Sequence, residues 1–161
     1  MRLSEVRHSP KRSPFARGAS VALAFVGIAG IALAAEQVAV RVRTVLATDT
    51  GSDFDSRLAP DRLQLHGLFR YSSYRLVKEE KRRCRWGSPN SFEIPGGRYL
   101  QVLPLGYKDN RLRLKVILIE SGTAPPLDTD FSLPNHGNIW VGGPKHPDGV
   151  LLISIGAEAE P

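Results

Sequence analysis

The chain has 161 residues, with 22 Lys and Arg against 16 Asp and Glu and a formal net charge of +6; that length is read as one domain rather than two. Its one cysteine, Cys84, excludes an intramolecular disulfide. Five of the 22 bases and one of the 16 acids lie in Met1–Ala34, which leaves 17 bases against 15 acids and a charge of +2 elsewhere, so the basic balance is no nucleic-acid footprint.

Arg2, Arg7, Lys11, Arg12 and Arg17 precede a run from Ala19 to Ala35 that carries no charge and is broken only by Ser20, Gly27 and Gly30. Near its end stands Ala32-Leu33-Ala34, the small-x-small pattern that a signal peptidase accepts. A basic start, an apolar stretch and this site in that order predict a signal peptide over residues 1–34. Residues 35–161 are then one exported domain, periplasmic or secreted. The alternative keeps 19–35 uncleaved as a membrane anchor, at the short end of the roughly 20 residues that a hydrocarbon core requires. The absence of a cysteine near the cut excludes a lipoprotein, and Lys11-Arg12-Ser13-Pro14-Phe15 has one arginine where a twin-arginine signal has two. A lone Cys84 in an oxidising compartment reads as a small buried hydrophobe, with a free thiol for an intermolecular bond as the alternative.

Val38, Val40 and Val42 alternate with Ala39, Arg41 and Arg43, which predicts a strand over Gln37–Thr48 with one face buried and one wet. Asp49-Thr50-Gly51-Ser52-Asp53 ends it, because Gly and Asp favour turns. The one helix expected is Asp55–Phe69. Leu58, Leu65, Leu68 and Phe69 lie toward one face of it, and Pro60 is tolerated in a first turn. From Ser73 the pattern is β. Tyr74 and Leu76 alternate, Lys78–Arg85 is too charged to be buried on both faces, and Phe92 and Ile94 lead into the hairpin turn Pro95-Gly96-Gly97. Tyr99–Leu105 and Arg111–Glu120 are strands flanking the turn Lys108-Asp109-Asn110. In the second of them Leu112, Leu114, Val116 and Leu118 share one face. Arg111, Arg113 and Lys115 share the other, where Ile117 and Ile119 predict a covered end.

Ser121–Pro126 reads as a loop, and Leu127, Thr129, Phe131 and Leu133 as an alternating strand. A turn at Pro134-Asn135-His136-Gly137, a short strand at Ile139–Val141 and a longer loop at Gly142–Gly149 follow. Val150–Ala157 is an apolar closing strand before a frayed tail at Glu158–Pro161. The expected fold is mainly β with one helix (α+β), an antiparallel meander or sandwich after an N-terminal strand–helix unit.

Chemistry-bearing patterns are sparse. No serine stands in a G-x-S-x-G elbow. Cys84 lies among Arg82, Arg83 and Arg85, which favour a thiolate, but no general base is identifiable. Gly96-Gly97 and Gly142-Gly143 lack the following helix and lysine of a phosphate loop and read as turns with positive φ. His136 and His146 flank a short strand with Asp128, Asp130 and Asp148 nearby, types that ligate zinc, though structural zinc spacings are tighter. His66 reads as a surface or capping residue of the helix. Arg70–Arg85 holds seven bases and two acids with Tyr71, Tyr74 and Trp86 close by. Such a mixture binds polyanions by charge and stacking, or else its Lys and Arg protect the edge of a sheet.

Thr129-Asp130-Phe131-Ser132-Leu133, then Asn135, Gly137 and Ile139 to Gly142-Gly143, resembles the hairpin of the secretin channel domain. The resemblance covers Thr129 to Gly143 and no other part of the chain. It implies an envelope β protein that pairs strands with a partner, and it transfers no functional residue.

The expectation is an exported or envelope domain that is not an enzyme, needs no cofactor and acts through contacts with an envelope protein. A first alternative is a binding module for an anionic polymer or lipid head group through Arg70, Arg75, Lys78, Lys81, Arg82, Arg83 and Arg85. A second is a metal-dependent or hydrolytic site near His136 and His146. Nucleic acid is not an expected partner, and membrane contact requires an uncleaved 19–35.

Overall fold

The computed structural model describes residues 37–120 and 127–159. The signal peptide expected over residues 1–34, the loop expected at Ser121–Pro126 and the last two residues of the expected frayed tail lie outside them. The architecture is mostly β with a single short α-helix. Sheet A has the strand order β2 (Ser73–Arg85), β1 (Gln37–Thr48), β8 (Gly149–Ala159), β7 (Asn138–His146); sheet B has the order β3 (Asn90–Ile94), β4 (Arg98–Lys108), β5 (Arg111–Ile119), β6 (Leu127–Pro134). Every strand pair is antiparallel. Sheet B is a plain meander, and in sheet A the first strand lies beside the last.

The period of two decides which residues meet. Val38, Val40 and Val42 of β1 and Leu151, Ile153 and Ile155 of β8 face Phe92, Leu100, Val102, Leu112, Leu114 and Val116 of sheet B in one continuous core. Full burial of each such side chain stabilises by about 1.5–3 kcal/mol. The two sheets therefore form a sandwich with a filled interior. Asp109 and Asn110 both take positive φ, +51° and +58°, as a two-residue hairpin turn requires.

The other face of sheet A carries a second core. Val45, Ala47, Tyr74, Leu76, Trp140 and Leu152 pack against Leu58 and Leu65. Those leucines come from a 3-10 turn, Ser56–Asp61, that runs into α1 (Arg62–Leu68). The single helix expected over Asp55–Phe69 is thus divided. Pro60 lies inside the first part and has no N–H to donate, and the Arg62 N–H reaches back to the Ala59 carbonyl. Leu68, expected to face inward, is 56% exposed.

Two strand ends differ from expectation. Gly142–Gly149 is no loop, since β7 continues to His146 through a register shift between Gly142 and Lys145. Gly143 is needed there for close approach, because a Cβ would stand 2.6 Å from the Leu151 carbonyl oxygen; only Gly96 and Gly97 of the two glycine pairs have positive φ. In the expected frayed tail, Glu158 and Ala159 pair with Ala39 and Val38, which extends β8.

Asp55 ties the helical segment to the edge of β2. Its carboxylate accepts the Arg57 N–H at 3.0 Å and the Leu76 N–H at 3.2 Å. Asp53 and Asp55 also exchange backbone hydrogen bonds with Tyr74, both 2.9 Å, which blunts that edge. Hydrogen bonds from the Arg57 side chain and backbone hold the Asp55 carboxyl far below the ordinary carboxylate range. A depressed carboxyl contributes stability above its unfolded value near ~4 and loses it as pH falls below that. Asp55→Asn should therefore be less stable than the native protein at pH 7, with the gap narrowing between about pH 4 and 2. Denaturation midpoints across that range measure it, and a gap that stays constant rejects the assignment.

Candidate functional site

The basic stretch is distributed by the pleat rather than gathered. Arg70 lies ahead of β2 in the connection from α1. Thr44 pairs with Lys78 but Val45 with Leu76, so Val77 is an extra residue that resets the alternation. Lys78, Arg82 and buried Cys84 then share the core-side face, while Lys81, Arg83 and Arg85 share the outer one. Arg75 is exposed opposite Leu46, beside a hollow of about 530 Å³ that Asp53, Asp55 and Asp148 also line.

The core-side bases close the gap between sheets where β2 and β3 pass each other. Lys78 Nζ donates to the Glu93 carboxylate at 2.9 Å and the Glu93 carbonyl at 3.2 Å, and Arg82 pairs with Glu80 while its guanidinium lies 5.3 Å from the Phe92 ring centroid. The Lys78–Glu93 hydrogen bond raises the ammonium pKa and lowers the carboxyl pKa. β2 is an edge strand of its sheet, so these charges also act as edge protection.

His136 and His146 stand at opposite ends of β7, on the order of 25 Å apart at a strand's rise per residue. His136 Nδ1 lies 3.3 Å from Glu158, and His146 Nδ1 accepts the Asp148 N–H at 3.2 Å. Asp128 and Asp130 pair instead with Lys115 and Arg113. The pair of histidines does not converge on one ion. Among the described residues no group of three or more His, Cys, Asp or Glu is placed to hold a metal. Cys84 is buried, and burial pushes its thiol pKa up more than the Arg82 charge lowers it. His66 is exposed and stacks on Phe54 at 5.6 Å.

A second concavity lies on the outer face of sheet A. The helical segment covers only half of the outer face of sheet A, the half with Val45, Ala47 and Leu152. At the boundary Arg43 donates to Asp61 at 2.7 and 3.1 Å and to Ser154 Oγ at 3.3 Å. Asn138 Nδ2 bonds Asp61 at 3.3 Å and Ser154 Oγ at 3.2 Å. The Arg43 guanidinium also lies 5.3 Å from the Trp140 ring centroid. Beyond this knot no described helix covers the face, which holds a hollow of about 340 Å³ floored by Ala39 and Gly156 and walled by Arg41, Lys81, Glu158 and the turn at His136.

Arg41 and Arg43 are legible in the sequence as the wet side of a valine-alternating strand. Asp61, Asn138 and Ser154 carry no local signal: Asp61 reaches Arg43 only through the packed helical segment, Ser154 through the pairing of β1 with β8, and Asn138 joins by bonding both Asp61 and Ser154. No protein-family model matches the chain, and no curated protein matches it significantly. Fold and geometry define a helix-capped antiparallel β-sandwich with a polar hollow on one sheet.

The Arg43 and Asp61 side chains are each 11% exposed. Asp61→Ala leaves a buried guanidinium without its counter-charge and should cost about 3–5 kcal/mol, most of it recovered by joining Arg43→Met to Asp61→Leu. Urea midpoints of the three proteins measure this. A near-neutral Asp61→Ala would show that the pair does not anchor the helix.

Proposed function

We propose that this is an exported, non-enzymatic envelope domain that docks another protein on the outer face of sheet B. The observation that carries the reading is the end of that face which the strand pattern marks for burial. Tyr99 and Ile119 pair directly across β4 and β5 and are 49% and 38% exposed. Ile117 and Leu103, on the same face, are half-buried. No described element packs over them, whereas sheet A has its helix. Sheet packing buries the alternate residues of each strand, and an apolar cluster left open beside polar neighbours marks a contact surface. The flank is charged but internally paired, Lys115 with Asp128 at 2.7 Å, so the partner contributes an apolar strip rather than a counter-charge.

Export is supported by the basic-then-apolar order of residues 1–34 and the Ala32-Leu33-Ala34 site. Among the described residues no helix is long and apolar enough to cross a membrane. Where cleavage fails, residues 19–35 hold the same domain at the membrane.

A photoreactive side chain at position 99, and another at the highly exposed Leu63 on the opposite sheet's helix, test both parts in one set of cells. A discrete protein adduct is expected from position 99, in the exported fraction, on a chain beginning at Ala35. It should be absent from position 63 and abolished by Ile119→Lys. Equal labelling at both positions, or no adduct at 99, overturns the docking face. A full-length chain in the cytoplasm overturns export.

A further inference from the structure

We propose that the open half of the outer face of sheet A binds a carboxylate-bearing ligand, held between Arg41 and Lys81. This lies on the other sheet from the docking face and stands apart from it. Arg41 and Lys81 are directly opposite each other on β1 and β2. Like charges at opposed cross-strand positions repel, so the pair is set for an anion that bridges it.

Each cation is held only by a loose ion pair. Arg41 Nε is 3.7 Å from Glu79 and Lys81 Nζ is 3.6 Å from Glu158, beyond hydrogen-bond reach, and both side chains are 50% exposed. Arg43, two residues along the same face, shows the contrast with its three hydrogen bonds to Asp61 and Ser154. The room is made by the next strand: Gly156 stands opposite Arg41 on β8 with no side chain, and Ala39 lies beside it. The hollow's ~340 Å³ is within the range of small-molecule sites.

The ligand's chemistry follows from what approaches the cations already. Glu79 and Glu158 offer each a carboxylate at loose range, and with side chains 44% and 41% exposed they can turn outward. A ligand carboxylate exchanges those contacts for charge-assisted hydrogen bonds, bidentate at the guanidinium. A doubly charged phosphate suits the site less, because Glu79 and Glu158, even turned outward, remain on the rim and repel a second negative charge. His136 Nδ1 stands 3.3 Å from the same Glu158 carboxylate.

The full chain in a non-ionic detergent, titrated with galacturonate, galactose and inorganic phosphate and followed by amide NMR, tests the proposal. Galacturonate should give saturable shifts at Ala39 and Gly156 that weaken as salt is added. Galactose should give none. Arg41→Gln and Lys81→Met should each weaken binding about tenfold, and Arg113→Gln on sheet B should leave it unchanged. Should Arg41→Gln unfold, Lys81→Met decides alone. No saturable shift, phosphate binding as tightly as galacturonate, or unaltered affinity in a folded Lys81→Met protein each overturns the proposal.

Discussion

A buried arginine–aspartate pair sets how sheet A is used. Arg43 projects from the middle of β1 and Asp61 from the junction between the 3-10 turn and α1, and they meet in a bidentate pair that Ser154 and Asn138 complete. Two charges taken from water are tolerated only with such full hydrogen bonding. The knot therefore fixes one register of helix on sheet. On one side of it lie the apolar residues that Leu58 and Leu65 cover; on the other the same face turns polar and open.

That division explains why β1 is buried along its inward face but has two environments on its outward one. Val45 and Ala47 lie under the helical segment, while Arg41, an even number of residues back on the same face, lies beyond its reach. Sheet B has no such cover among the described residues. Its outer face is polar where β5 carries Arg111 and Arg113 and apolar where Tyr99 and Ile119 pair. The two outward faces of the sandwich are thus chemically unlike, which is the physical basis for assigning them different occupants.

The sides of the sandwich are managed by charge and by capping. Lys78 and Arg82 span from β2, the edge of one sheet, toward β3, the edge of the other, and the Lys78 ammonium donates to the Glu93 carbonyl of β3. Farther along β2, the backbone of Asp53 and Asp55 lies against Tyr74. Unpaired edge groups invite other chains to add as strands, and both devices reduce that invitation. Of the bases that make Arg70–Arg85 conspicuous in the sequence, Lys78 and Arg82 protect the edge, Lys81 lines the rim of the polar hollow and Arg75 lies beside the other hollow.

Alternation and turn chemistry by themselves determined the β1 span, the hairpins at Gly96-Gly97 and Asp109-Asn110, and the mainly β class, because the two-residue period and positive φ are local properties. Local pattern failed where a distant atom decided. β7 runs on through Gly142 and Gly143, and at Gly143 it does so against the Leu151 carbonyl, which leaves no room for a side chain. One bulge at Val77 puts Arg75 and Lys78, three residues apart, on the same face. Ile117 and Ile119 read as covered, but no described element lies over them. Arg41 and Arg43 look alike in sequence, two residues apart on one wet face. Only the packed helix, bringing Asp61 to one and not to the other, separates a structural arginine with full hydrogen bonds from one held by a loose ion pair to Glu79.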